Sequence, residues 1–204
     1  MADDHALVLA GLRKMLESEC DIVSVAEDGR TLVSAAESLR PDVILLDISM
    51  PLLNGIEAAR QIRRASPNSK LIFITMHADS GYVREALSAG GSGYLLKNSA
   101  GSELLPAIRT VFSGGTYITP ALNKSLLDLM ATPEQQDKSS PLTPRQREVL
   151  QLVAEGKAMK EIAYILNVSP KTVEYHKSCI SSKLGTRTTA GMTKYAIENG
   201  LIQH

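Results

Sequence analysis

Four polar groups of this sequence are placed where the carboxyl ends of buried strands would meet: the Asp3/Asp4 pair, Asp47, Thr75 and Lys97. Two or three carboxylates collected at one point repel each other and favour a hard divalent cation with oxygen ligands, most naturally Mg²⁺. A carboxylate beside such an ion can act as nucleophile toward a phosphoryl group. A hydroxyl and an ammonium then stabilise the oxygens of the phosphoryl group that is transferred or held. A lone Asp after an apolar strand is usually a cap or turn residue. Four such groups at matching strand ends form a coherent set.

The elements that must position them alternate along the first 115 residues. Val43–Asp47 and Leu71–Thr75 are continuous apolar runs ending in a polar residue, the pattern of parallel strands buried on both faces. Ile22–Ala26 and Gly93–Leu96 are shorter candidates. Helical patterns lie between them at Ala6–Glu17, Thr31–Leu39, Gly55–Ala65, Tyr82–Ala89 and Gly101–Phe112. This order predicts a doubly wound α/β domain, in which ligands gather at the carboxyl ends of the strands.

The pattern breaks at Ser113. Gly114-Gly115, Pro120, Pro133 and the polar stretch Glu134–Ser140 mark residues 116–140 as a linker, with room for one short helix at Ala121–Met130. Residues 141–204 read as an all-α domain of four helices. Thr143-Pro144-Arg145-Gln146 is a capping box with Pro at the first helical position, and Gly156 is the stop. A second helix is expected at Met159–Leu166, a third from Ser169-Pro170 to Leu184 with Gly185 after it, and a fourth over Ala190–Asn199. No internal repeat is present.

The turn Asn167-Val168-Ser169 joins the second and third of these helices as tightly as a helix-turn-helix requires. The third helix spaces Val173, Cys179/Ile180 and Leu184 as a packing face. Lys171, Thr172, Glu174, Tyr175, Lys177 and Ser178 lie toward its outer, amino-terminal side. A helix that reads DNA needs this division, an apolar stripe to hold it and polar residues in its first turns for base edges. The charge distribution agrees. Residues 1–115 carry 11 basic and 14 acidic side chains, whereas residues 141–204 carry 9 and 5, so a polyanion partner suits the second domain alone.

With 44% hydrophobic and 22% charged residues the chain is globular, and no apolar run approaches the roughly 18–20 residues that span a bilayer. Met1-Ala2-Asp3-Asp4-His5 lacks the basic end and apolar stretch of a signal peptide, which predicts a cytoplasmic protein without membrane contact. Cys20 and Cys179 stand far apart with no Cys/His cluster, as expected of two reduced, buried thiols rather than a disulfide or zinc site.

The Asp-Asp pair, Asp47-Ile-Ser-Met50-Pro51-Leu-Leu-Asn54-Gly55, Thr75 and Gly93-Tyr94-Leu-Leu-Lys97 together resemble the receiver domain of two-component response regulators, over residues 2–115. The resemblance implies a flavodoxin-like receiver with Asp47 as phosphoacceptor. Asp4 would bind Mg²⁺ directly, Asp3 through water, and Asp47 with the Ser49 backbone carbonyl would complete the protein's share. Thr75 would contact the phosphoryl group and Lys97 would pair with Asp47 and then with phosphate. Tyr94 stands at the position of a switch aromatic, with a structural, half-buried Tyr as the alternative. Ser49 and His77 would line the site and set how long the phosphate survives, although a plain exposed loop residue is the simpler reading of His77.

Leu142-Thr-Pro-Arg-Gln-Arg-Glu148-Val-Leu, Gly156-Lys, Lys160-Glu161-Ile162-Ala163, Ser169, Lys171-Thr172-Val173-Glu174, His176 and Lys183-Leu184-Gly185 are similar to the LuxR-type domain of NarL/FixJ regulators. By that resemblance Lys171, Glu174, Tyr175 and Ser178 face the major groove, while Lys160, Lys177, Lys183 and Arg187 are candidate phosphate contacts. Arg145, Arg147 and Glu148 are expected to form surface pairs, and His176 to pack or hydrogen-bond within its domain. The implied protein is a transcriptional regulator phosphorylated by a sensor histidine kinase, binding double-stranded promoter DNA as a homodimer. It is not an enzyme.

One departure stands out. Receivers begin with a basic-apolar strand of about five residues, and here almost all of it is missing ahead of Asp3. A misplaced start or shortened chain, a rearranged or swapped receiver, and a degenerate receiver all account for this; the first is preferred because every chemistry-bearing residue is intact. Two further functional readings remain. One is a phosphorylation-independent DNA-binding protein whose receiver only dimerises. The other is an aspartyl-phosphate hydrolase, which would want an Asp at the position of Ser49 and leaves the helix-turn-helix unexplained.

Overall fold

The computed structural model describes residues 1–122 and 141–202, and the chain divides into two compact units. The first is built on a parallel sheet, β1 (Val43–Leu46), β2 (Lys70–Thr75), β3 (Gly91–Leu96) and β4 (Tyr117–Ile118), in that spatial order. Alternate residues of each strand enter opposite layers, as the two-residue strand period demands. Ile44, Leu46, Leu71, Phe73 and Tyr94 pack with α2 (Gly29–Leu39), α3 (Gly55–Ala65) and α4 (Ser80–Ser88). Leu45, Ile72, Ile74 and Leu95 pack with α1 (Ala6–Leu16) and α5 (Ala100–Phe112). The doubly wound α/β architecture is thus present, and the helices start where their caps dictate. The Asp28 carboxylate accepts from the N–H groups of Arg30 and Thr31, Asn54 from Glu57, and Asp79 from Gly81.

Beside β1 lie Met1 and Ala2. Ala2 donates to the Leu45 carbonyl at 2.8 Å and accepts from Asp47 N–H at 3.0 Å; on its other side Asp3 N–H reaches the Ala26 carbonyl at 3.2 Å. Two residues therefore hold the place between Ala26 and β1, bridging Ala26 and Leu46. The strand predicted at Ile22–Ala26 does not form beyond that one bridge. Its neighbour is only two residues long, so most of its ladder groups have no partner in the sheet.

The reading of residues 116–140 as linker also needs correction at its start. Tyr117–Ile118 pairs with Gly93–Tyr94 as an edge strand, and the fully buried Thr119 follows it. A two-residue strand between a Gly pair and a Pro leaves no apolar run to detect. Residues 123–140, including most of the helix predicted at Ala121–Met130, lie outside the described residues.

The second unit holds α6 (Pro144–Ala154), α7 (Met159–Ile165), α8 (Pro170–Leu184) and α9 (Thr189–Glu198). The capping box at Thr143/Gln146 forms, and Gly156, Gly185 and Gly200 take the left-handed conformation after α6, α8 and α9, with φ of 79°, 64° and 65°. Val149, Leu150, Ile162, Val173, Ile180 and Met192 close the core. Cys20 and Cys179 are free and only half-buried. Among the described residues no helix is long and apolar enough to cross a membrane.

Candidate functional site

Three of the predicted side chains meet at the carboxyl edge of the sheet. Lys97, one residue past β3, donates its ammonium to Asp3 Oδ2 and Asp47 Oδ2, both at 2.7 Å. Both carboxylates are 1% exposed. Asp47 follows β1 directly, and its Oδ1 accepts from Ile48 N–H at 2.6 Å. Asp4 and His5 complete the acidic end: His5 Nδ1 lies 2.8 Å from Asp4 Oδ1 and 3.2 Å from Asp3 Oδ1. His5, which sequence reasoning passed over, thereby orients both acids of the pair.

Burial pushes the Asp47 carboxyl up, the Lys97 hydrogen bond and charge pull it back only in part, and Asp3 adds to the rise. Burial alone would lower Lys97, but its hydrogen bonds to Asp3 and Asp47 outweigh that and hold its ammonium more firmly than usual. The Lys97 ammonium thus meets two carboxylates, with the exposed Asp4 beside them on His5. The ligand atoms of Asp3, Asp4, His5 and Asp47 all lie within 4.8 Å of one another, so the cluster can hold a metal ion. A carboxylate-dominated donor set fits a divalent cation.

The loop carrying Asp47 is held from behind by α3. Gly55 N–H donates to the Ile48 carbonyl at 2.7 Å, and a Cβ on Gly55 would stand 1.9 Å from the Asp47 carbonyl oxygen. Gly55→Ala should therefore lower stability by about 2–3 kcal/mol in urea unfolding, through overpacking against backbone that cannot yield. An unchanged midpoint would mean that the loop relaxes freely.

Thr75 ends β2 fully buried, its Oγ1 accepting from His77 N–H at 3.2 Å. His77 is half-buried rather than a plain loop residue. Its Nε2 lies 2.9 Å from Ser49 Oγ and its ring stacks on Tyr82 with centroids 4.3 Å apart. Burial lowers the His77 imidazole, against the opposing charge of Asp47. Tyr94 points inward, fully buried, and its hydroxyl donates to the His77 carbonyl at 2.8 Å. Thr119 was missed because it was assigned to the linker; its Oγ1 accepts from Leu96 N–H at 3.1 Å and anchors the strand end that delivers Lys97.

In the second unit, α8 begins at the Ser169 cap and presents Lys171, Glu174, Tyr175 and Ser178 on one exposed face. Val173 and Ile180 on the opposite face are fully buried. Thr172 is half-buried and its Oγ1 lies 2.9 Å from Ser169 Oγ, so it serves the cap. Lys177 is half-buried, while Lys160 and Arg187 are exposed. Lys183 is placed otherwise than a free phosphate contact would be, with its ammonium donating to the Pro141 carbonyl and Gln146 Oε1 at 2.8 and 2.9 Å. Those bonds tie α8 to the start of α6. Arg145 pairs with Glu148 at 3.1 Å, as expected, but Glu148 is buried rather than on the surface. His176 packs edge-on against Tyr175, and its buried Nδ1 has no hydrogen-bond partner.

Comparison with known proteins bears on both units. Residues 1–109 match the family "Response regulator receiver domain" and residues 140–196 the family "Bacterial regulatory proteins, luxR family". The chain is 34% identical over 204 residues to the transcriptional regulatory protein MctR of Rhizobium johnstonii, covering 99% of this chain and 94% of that one. It is 37% identical over 212 residues to the oxygen regulatory protein NreC of Staphylococcus aureus, covering 100% and 98%. Among solved structures, RcsB of Salmonella enterica serovar Typhimurium bound to promoter rprA with phosphomimetic BeF3⁻ superposes with a TM-score of 0.57, at 32% identity over 95% of this chain and 94% of that one. The chain therefore belongs to the NarL/FixJ response regulators, DNA-binding regulators of transcription controlled by phosphorylation of a receiver domain, and not to the enzymes.

Proposed function

We propose that Asp47 is the phosphoacceptor and that a sensor histidine kinase supplies the phosphoryl group in the cytoplasm. The observation that carries this reading is the buried convergence of Asp3, Asp47 and Lys97, with Lys97 Nζ 2.7 Å from each carboxylate. An Asp47 oxygen attacks phosphorus and the bond to the donor imidazole nitrogen breaks; that ring, protonated beforehand on its other nitrogen, keeps the electron pair of the broken bond and leaves as neutral imidazole. Asp4 directly, Asp3 through water and the Ser49 carbonyl would hold Mg²⁺, which when bound offsets the charge of the phosphoryl oxygens. Lys97 then exchanges its contact with Asp47 for one with phosphate, and the Thr75 hydroxyl turns to the same group. Tyr94, already inward and bonded to the His77 carbonyl, is the switch that follows Thr75. The Ser49–His77 contact lines the approach to the phosphoryl group and sets its lifetime.

The domain assignment follows from the same reading: a receiver that extends through Leu122, a linker up to residue 140, and a DNA-binding domain from residue 141. Lys171, Glu174, Tyr175 and Ser178 enter the major groove, with Thr172 at the helix cap beside it. Lys160, Lys177 and Arg187 contact phosphates, Lys183 doing so only on leaving Gln146. Phosphorylation favours a homodimer on paired promoter half-sites. Incubation of the chain with acetyl phosphate and Mg²⁺ should add one phosphoryl group, mapped by mass spectrometry to Asp47 and absent from Asp47→Asn. Labelling that persists in Asp47→Asn, or none in the folded wild type, would defeat the assignment.

A further inference from the structure

His77 is held at four points. Its N–H donates to Thr75 Oγ1 at 3.2 Å, its carbonyl accepts from the Tyr94 hydroxyl at 2.8 Å, and its Nε2 lies 2.9 Å from Ser49 Oγ. Those three contacts come from the sheet and from the loop that follows β1. The fourth comes from α4, where the Tyr82 ring lies against the imidazole with centroids 4.3 Å apart and planes inclined by 22°.

The contacts differ in what they fix. The two backbone bonds set where His77 leaves the chain, and the Nε2 contact fixes one atom of the ring. A ring tied at its root and at one atom still rocks about the line joining them. A stacked neighbour removes that freedom, since tilting the imidazole parts the two faces. Tyr82 is itself firmly placed in the first turn of α4. The Asp79 cap accepts from Gly81 N–H at 2.7 Å through its side chain and from Tyr82 N–H at 3.2 Å through its carbonyl. Val83 and Ala86 are fully buried on the same helix, and Glu85 accepts from Arg60 of α3 at 3.2 Å. The half-buried Tyr82 packs against the core that contains Phe73 and Tyr94.

Loss of a phosphoryl group from Asp47 is an attack by water. The water oxygen bonds to phosphorus, the bond to Asp47 breaks, and the carboxylate leaves with its electron pair, while the protons of the water pass to phosphate and solvent. We propose that Tyr82 is a positioning residue for this step: its ring holds the His77 imidazole across the approach to Asp47 and so prolongs the life of the phosphoryl group. The inference rests on the reading of Asp47 as phosphoacceptor with Ser49 and His77 lining the approach. Through Tyr82, the placement of α4 sets the rate of hydrolysis, although no residue of that helix takes part in the phosphoryl chemistry.

The test uses the full chain, loaded with acetyl phosphate and Mg²⁺, freed of excess reagent and followed by intact-mass spectrometry. An aromatic pair is worth roughly a two- to tenfold factor. Tyr82→Leu should lose its phosphoryl group faster by about that factor, and Tyr82→Phe, which keeps the ring, should match the wild type. Tyr82→Met carries the same expectation as the leucine variant where that one does not fold. In a His77→Ala background Tyr82→Leu should have no further effect, because the residue it positions is gone. In the unphosphorylated chain the His77 ring protons should shift in nuclear magnetic resonance spectra of Tyr82→Leu and hold their place in Tyr82→Phe. A labelled wild type whose lifetime Tyr82→Leu shares would overturn the proposal alone, as would a Tyr82→Leu effect that persists in full without His77. No label on the folded wild type would overturn it together with the Asp47 assignment.

Discussion

Lys97→Met is expected to unfold at a markedly lower urea concentration than the wild type, with a loss of roughly 3–5 kcal/mol at pH 7. The substitution keeps most of the side-chain volume and removes only the ammonium. What remains is Asp3 and Asp47, each 1% exposed, with no cation between them. Breaking a buried ion pair from one side is costly because the surviving charge stays in a poorly solvating place.

The pH dependence carries a definite sign. In the wild type the folded state holds the Lys97 proton above its ordinary value. That contribution is complete below about pH 10.4, the unfolded value, and is lost as pH rises through the folded one. In the variant, the carboxyl of Asp47, already raised by burial, loses its main opposing influence. Its destabilising ionisation is complete above the raised folded value and vanishes as pH falls toward about 3.9. The gap between the two proteins should therefore narrow as pH drops from 7 to 5 in parallel urea titrations. A variant as stable as the wild type, or a gap indifferent to pH, would refute the electrostatic account of this cluster.

The second large effect concerns DNA. Lys171→Ala combined with Tyr175→Ala should lower affinity for a promoter half-site at least 100-fold, about 2.8 kcal/mol at roughly 1.4 kcal/mol per tenfold. Individual contacts of this kind are each worth roughly 1–3 kcal/mol. Both side chains are exposed on α8, Tyr175 at 66%, while Val173 and Ile180 beneath them hold the helix in place. Helical content and melting temperature should accordingly stay unchanged, which separates lost contact from lost fold. Retardation assays across salt concentrations also distinguish the residues. Lys160→Ala should weaken all sequences alike and flatten the salt dependence, whereas the double variant should lose discrimination between promoter and random duplex. Undiminished specific binding by the double variant would show that a different surface reads the bases.

Much of this protein follows from local features of its sequence. Continuous apolar runs ending in Asp47 and Thr75 specified strands buried on both faces, and the polar residues at the strand ends marked where Asp3, Asp47 and Lys97 converge. Ser169-Pro170, Thr143 with Gln146, and the glycines at 156, 185 and 200 specified helix ends, because caps act within four residues of themselves. The tertiary structure decided what depends on partners distant in sequence. Ile22–Ala26 has a strand's composition yet forms a single bridge, at Ala26, with one further bond from Met1 to the Ser24 carbonyl. Tyr117–Ile118 lacks a strand's length yet is one, since β3 offers it an edge. The inward rotation of Tyr94, the clamp that Lys183 makes on Gln146 and the sharing of Lys97 between Asp3 and Asp47 belong to the same class. Periodicity and end chemistry state what each segment can bury and what each terminus can bind; which hydrogen bonds are completed is settled only when distant backbones come together.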